Sequence, residues 1–237
     1  MKKILLAISL FLSPVAISQN FQLHHDFGKD RNYLTSTFEM FRPDNWGNTF
    51  LFIDFDYNFE KERHPSMAYM ELARCFTLGK SPLSFQIEYN GGLLASGTTE
   101  GSFFYPINNA YLAGIDYGWH SQDFNKFLNF KMLYKYISEK NPISFQLTAT
   151  WDLNFYNKKL TLSGFADFWR EDNVNYYSAS GEEIVPVISK FVLVSEPQFW
   201  YNLTSHFSLG SEIEFGINFG TVQGLKVCPT VGGKWIF

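Results

Sequence analysis

The sequence predicts an all-β chain, a single antiparallel transmembrane β-barrel of about twelve strands behind a cleaved signal peptide. Three observations predict it. Apolar and polar side chains alternate with a period of two almost everywhere. Aromatic residues make up 19% of the chain. The two ends carry the marks of an exported barrel.

At the start, Met1-Lys2-Lys3 precede an apolar run from Ile4 to Leu12, followed by Ser13-Pro14 and the small-residue pattern Ala16-Ile17-Ser18. A charged start, a short apolar core and a small-residue site make a secretory signal cleaved near Ser18. The run is too short to span a bilayer as a helix. Residues 1–18 are therefore assigned to the signal peptide and residues 19–237 to the barrel. At the other end, Val231, Trp235 and Phe237 share one face of a strand that stops on an aromatic residue. Outer-membrane barrels close on such a strand, so Phe237 is the expected contact for the barrel-assembly machinery.

The strands follow from the alternation. Leu51, Ile53, Phe55 and Tyr57 form one face of the run 49–57, and Phe50, Phe52, Asp54 and Asp56 the other. After Pro142, Ile143, Phe145, Leu147, Ala149, Trp151 and Leu153 alternate with Ser144, Gln146, Thr148, Thr150, Asp152 and Asn154. Side chains alternate across a strand, so one face can meet lipid and the other water; a helical stripe does not fit. Strands are expected near 20–27, 33–42, 47–58, 66–76, 82–95, 108–118, 126–137, 142–156, 159–170, 187–202, 205–219 and 226–237. If the first strand runs outward, the longest gaps, 59–65, 96–107 and 171–186, are external loops. The opposite connections, such as Asn157-Lys158 and Leu203-Thr204, are short turns.

Composition narrows the function. Hydrophobic residues make up 46% of the chain, yet no long apolar stretch follows residue 18, which excludes a helical membrane protein. The 26 Phe and 13 Tyr exceed what a soluble domain needs and suit a lipid-facing wall with aromatic girdles. The net charge of −4 and the lack of a basic stripe argue against nucleic-acid binding. Cys75 and Cys228 show no C-x-x-C or Cys/His spacing, so no zinc site is expected. They either pair after export or remain as buried or lumen-facing thiols. No metal or cofactor is expected.

Assigning the apolar face to lipid defines an inner wall, because charges at mid-depth on the lipid face cost about 2–4 kcal/mol for Arg or Lys. The candidate lumen-binding residues are Phe50, Phe52, Asp54, Asp56, Tyr69, Glu71, Glu88, Asp116, Lys131, Asp152, Asp167 and Trp200. Glu196, Glu212, Glu214, Lys135, Lys190, Phe165 and Trp169 also fall on this face. Opposite charges could pair and fill a narrow barrel, or the wall could be wet. Inward aromatics could fill space or stack flat uncharged solutes such as nucleobases. Neighbouring carboxylates would accept hydrogen bonds from sugar hydroxyls or base amines, and an acidic wall disfavours anions.

Three stretches carry a resemblance: Asn20 to Gly28, Leu34 to Phe41, and Trp46-Gly47-Asn48-Thr49-Phe50-Leu51-Phe52-Ile53-Asp54-Phe55-Asp56. Over residues 20–95 the chain resembles the Tsx-like family of outer-membrane proteins, in particular its Bacteroidetes branch, and the W-G-x-T-F-x-F-x-D-x-D element is the most specific part. The resemblance implies a monomeric twelve-stranded channel for nucleosides and deoxynucleosides. It carries over only Phe50, Phe52, Asp54 and Asp56 as lumen residues, since these lie in the matching element.

Two other functions compete with a channel. An outer-membrane lipid hydrolase would use a triad; there is no G-x-S-x-G element, and His64, beside Glu60, Glu62 and Ser66, could mimic one. No catalytic residue is assigned. A closed structural or adhesive barrel would bind through the Tyr/Ser/Asn-rich stretch 171–181. The expectation is a non-enzymatic, passive channel in the outer membrane of a Gram-negative cell. Its partners would be outer-membrane lipid and small solutes, nucleosides foremost.

Overall fold

The computed structural model describes residues 18–29, 31–58, 64–98, 101–140 and 144–237. The signal peptide assigned to residues 1–18 lies outside them but for Ser18. The strands are β1 (Ser18–Asp26), β2 (Tyr33–Asp44), β3 (Gly47–Tyr57), β4 (Met67–Thr77), β5 (Leu83–Thr98), β6 (Gly101–His120) and β7 (Lys126–Ile137). They continue as β8 (Phe145–Phe155), β9 (Leu160–Ser178), β10 (Glu183–Ser195), β11 (Gln198–Asn202), β12 (Phe207–Ile217), β13 (Val222–Gln223) and β14 (Leu225–Ile236).

From β1 to β9 each strand pairs antiparallel with the next. β10 and β11 are two halves of one stave: both pair with β9 on one side and β12 on the other. β12 pairs with β14, and β14 with β1, which closes the sheet into a barrel of twelve staves. Closure leaves no free edge for a chain that must satisfy every backbone group within lipid.

The broken stave has a local cause. Pro197 has no N–H to give the ladder. The β9 strand opposite adapts through Gly164, whose φ is 140°. A Cβ there would lie 2.3 Å from the Glu196 carbonyl oxygen. The Glu196 N–H and the Ser195 hydroxyl both donate to the Phe165 carbonyl instead, at 3.0 and 2.8 Å.

Both termini of the barrel lie at one end: Phe237 N–H donates to the Gln19 carbonyl at 3.1 Å and Ile236 N–H to His206 at 2.8 Å. The turns at this end are short. Tyr156, Asn157 and Lys158 take φ of 50°, 53° and 62°, the left-handed turn that matches strand twist. In the turn 121–125 the Asp123 carboxylate accepts from Ser121 Oγ at 2.5 Å and Asn125 Nδ2 at 2.9 Å. These bonds favour its charged form and pull its pKa down to about 2.

At the opposite end the expectation of long loops is corrected. Residues 96–107 and 171–186 are mostly strand: β6 begins at Gly101, β9 runs to Ser178 and β10 starts at Glu183. The β5–β6 ladder survives a register shift between Asn90 and Gly92 and continues to Thr98 and Gly101. In β9–β10, Asn175 Nδ2 donates to Ser189 Oγ across the ladder at 2.9 Å, so the polar residues that suggested a loop serve as cross-strand partners.

The faces sort as alternation requires. Phe130 (55% exposed) and Met132 (66%) point outward, while Gln22, Gln86 and Asn175 are wholly buried inside. This inverts a water-soluble fold and suits a wall immersed in hydrocarbon. Among the described residues no helix is long and apolar enough to cross a membrane. The inner face is not uniformly polar. Ala110, Leu112, Leu133, Ile137, Trp169, Val192 and Val194, with Phe165 against them, form an apolar cluster on the inner faces of β6, β7, β9 and β10.

Candidate lumen site

The element Phe50-Leu51-Phe52-Ile53-Asp54-Phe55-Asp56 forms the middle of β3, and register with β2 and β4 decides its neighbours. Thr37 faces Asp54 and Thr35 faces Asp56. Their hydroxyls donate to the carboxylates at 2.6 and 2.7 Å. On the other side Asp54 faces Tyr69 and Phe52 faces Glu71. The Phe52 and Tyr69 rings meet edge-on at 6.4 Å, and Tyr69 Oη donates to Glu71 Oε1 at 2.9 Å. An aromatic pair and a row of carboxylates therefore share one patch of half-buried inner wall.

The next staves extend it. Gln86 Nε2 donates to Glu88 Oε2 at 2.5 Å. Asn129 Nδ2 donates to both Asp116 oxygens at 3.1 and 3.3 Å. Lys131 sits between Asp116 and Thr148 in register. Thr148 Oγ1 donates to Asp167 and Asn154 Nδ2 to Asp152. Glu71, Glu88 and Asp167 lie within electrostatic range of one another. Nearly all these acids are held by neutral donors. Among the described residues the ion pairs are Arg31–Asp26, Arg31–Glu214, Arg74–Asp44 and Lys140–Glu171. Lys131 and Lys135 do not neutralise the acidic patch at contact distance.

Two indoles occupy parts of the lumen. Trp200, wholly buried, lies near the terminus-bearing end. Its Nε1 donates to Gln198 Oε1 at 2.9 Å, Lys234 Nζ stands 4.3 Å above its ring, and His24 meets it edge-on at 5.5 Å. Gly210 makes room: a Cβ there would fall 2.5 Å from the ring. Trp169 lies further along, with Lys135 Nζ 4.2 Å from its ring centroid and Glu171 accepting from its Nε1 at 2.8 Å. Lys135 also donates to Gln146 Oε1 at 2.6 Å.

The lumen-binding candidates named from the sequence share the inward phase of their strands, but they do not form one cluster. Phe50, Phe52, Asp54, Asp56, Tyr69, Glu71 and Glu88 line a connected patch on β3 to β5; Asp167 belongs to β9 beside Thr148; Asp152 and Trp200 belong to the terminus-bearing end; Asp116 and Lys131 lie on β6 and β7. Lys190 falls at the register shift between Ser189 and Phe191 and is exposed. Both cysteines are free and buried: Cys75 Sγ donates to Gln86 Oε1 at 3.2 Å, and Cys228 packs under Gly28. Of the group around His64, Glu60 and Glu62 lie outside the described residues.

Sequence reading missed Arg31. From the loop after β1 it donates to Asp26 at 3.0 Å and forks onto Glu214 of β12 at 2.9–3.2 Å, crossing β14 to do so. No local pattern marks such a contact. His24 and Lys234 could have been found: alternation places Lys234 opposite Trp235.

The model of the family described as "Domain of unknown function (DUF5020)" matches residues 18–237. Among solved structures, the NanC porin is 10% identical, with 92% of this chain and 98% of that chain covered at a TM-score of 0.53. The KdgM porin is 10% identical over 93% and 99% at 0.49. Omp33 of Acinetobacter baumannii is 12% identical over 93% and 97% at 0.43. At such identity the likeness to the NanC porin is one of fold, the outer-membrane barrel. No curated protein matches the chain.

Proposed function

The chain belongs to the DUF5020 family, and from the geometry of its lumen we propose that it is a passive outer-membrane channel for small uncharged or cationic solutes, nucleosides among them. The observation that carries this is the patch around Phe52, Asp54, Tyr69 and Glu71, which is partly buried and bound by neutral donors rather than by lysines. Acids without contact cations leave the wall negative, which attracts cations and repels anions. The Phe52–Tyr69 pair offers a stacking edge, and stacking is worth about 1–3 kcal/mol per base. The resemblance of the element at 46–56 to the Tsx-like channels supports nucleosides as the finer reading. The apolar cluster and the buried Trp200 favour the rival, a closed barrel, because they fill part of the lumen.

Planar-bilayer recording with added nucleosides tests the proposal. Single-channel current should fall as a nucleoside is added, and the double substitution Phe50→Ala, Phe52→Ala should weaken that block. Current indifferent to nucleosides would remove the nucleoside reading and leave the channel. Absence of any current would support the closed barrel.

A further inference from the structure

The inner wall holds a buried acceptor that nothing satisfies. Asn90 is 4% exposed, and its Oδ1 has no hydrogen-bond partner. It lies on β5 directly opposite Glu71 on β4, two residues from Glu88 on the same face. Glu71 uses one oxygen to accept from Tyr69, and Glu88 one to accept from Gln86. Asp167 of β9, whose charge reaches Glu71, accepts from Thr148. A buried acceptor left unpaired costs the desolvation of that group, and here it faces further unfilled acceptors. No ion pair among the described residues includes Glu71, Glu88 or Asp167. Lys135, the nearby base, is directed at Gln146 and the Trp169 ring. Each of these acids takes one hydrogen bond from a neutral donor, so the patch carries more acceptor oxygens than these donors fill.

We infer that Tyr69, Glu71, Glu88, Asn90 and Asp167 form a binding site for organic cations bearing more than one protonated amine, such as aliphatic diamines. Ammonium groups are donor-only and would supply what these oxygens lack. A bare metal ion fits less well, because no three acidic, histidine or cysteine side chains among the described residues converge on one point. The acceptors are spread along the wall, so the ligand must span them. The Phe52 ring beside Glu71 gives its methylene linker an apolar surface. The site rests on the channel reading for how the ligand arrives, and deepens it by naming a solute class.

The test is titration calorimetry of 1,4-diaminobutane into the detergent-folded barrel at low salt, with butane-1,4-diol as the uncharged control. The diamine should bind and the diol should not. Glu71→Gln combined with Asp167→Asn, which keeps shape and removes charge, should weaken diamine binding at least about tenfold. Asn90→Leu alone should weaken it severalfold and serves if the double variant does not fold. Diol binding equal to diamine binding, or full diamine affinity in either variant, overturns the inference. Conductance without diamine binding discards the site and keeps the channel; diamine binding without conductance discards the channel and keeps the site.

Discussion

Trp200→Ala is expected to lower the unfolding free energy of the barrel by about 3–5 kcal/mol, the range for truncating a buried Trp to Ala. The indole is wholly buried and held on three sides: Gln198 accepts from Nε1, Lys234 stands on its face and His24 against its edge. The space it leaves is lined by polar groups, so water should enter rather than leave a dry void. The same substitution should therefore raise single-channel conductance while it weakens the fold. Denaturant titration in detergent and bilayer recording on the same preparation check both halves. Unchanged stability would mean that the ring is not the packed element described.

Arg31→Ala should cost a similar amount, about 3–5 kcal/mol, for an electrostatic reason. Asp26 is nearly inaccessible, with 4% of its side chain exposed, and Glu214 has 14%. Removing the guanidinium strands one buried and one partly buried carboxylate, and a broken buried pair costs more than the intact pair contributes. Because Arg31 reaches from the β1–β2 connection to β12 across β14, the loss should be concentrated at the closing seam. Arg31→Lys should recover only part of it, since an ammonium cannot reproduce the fork onto Glu214. Arg31→Ala with Glu214→Gln should be more stable than Arg31→Ala alone. Denaturant midpoints for the four proteins decide this; equal midpoints for wild type and Arg31→Ala would show that the carboxylates are hydrated.

How much of this was legible in the sequence depends on which contacts set each feature. Strict alternation fixed the inner wall: Asp54, Glu71, Asp152, Asp167 and Trp200 all point inward as their strand phases require. β7 runs from Lys126 to Ile137 as expected, since its ends coincide with turns. The β5–β6 and β9–β10 extensions were not legible, because their polar and glycine residues read as loop and only pairing with the partner strand shows otherwise. The strand expected over 187–202 is broken at Glu196–Pro197, and its accommodation by Gly164 is a cross-strand matter that the local sequence does not show. The apolar cluster around Leu133 was not legible because its members come from β6, β7, β9 and β10, and only closure of the sheet brings those inner faces together. Arg31, in a loop, has no phase at all.

The account as a whole requires an apolar outer wall enclosing a hydrated, acidic interior. The reversal potential of the purified barrel in a planar bilayer, measured across a potassium chloride gradient, tests it most directly. The account predicts discrete currents whose reversal potential shifts toward that of potassium. Reversal on the chloride side, or a membrane that stays silent with folded protein inserted, would contradict it.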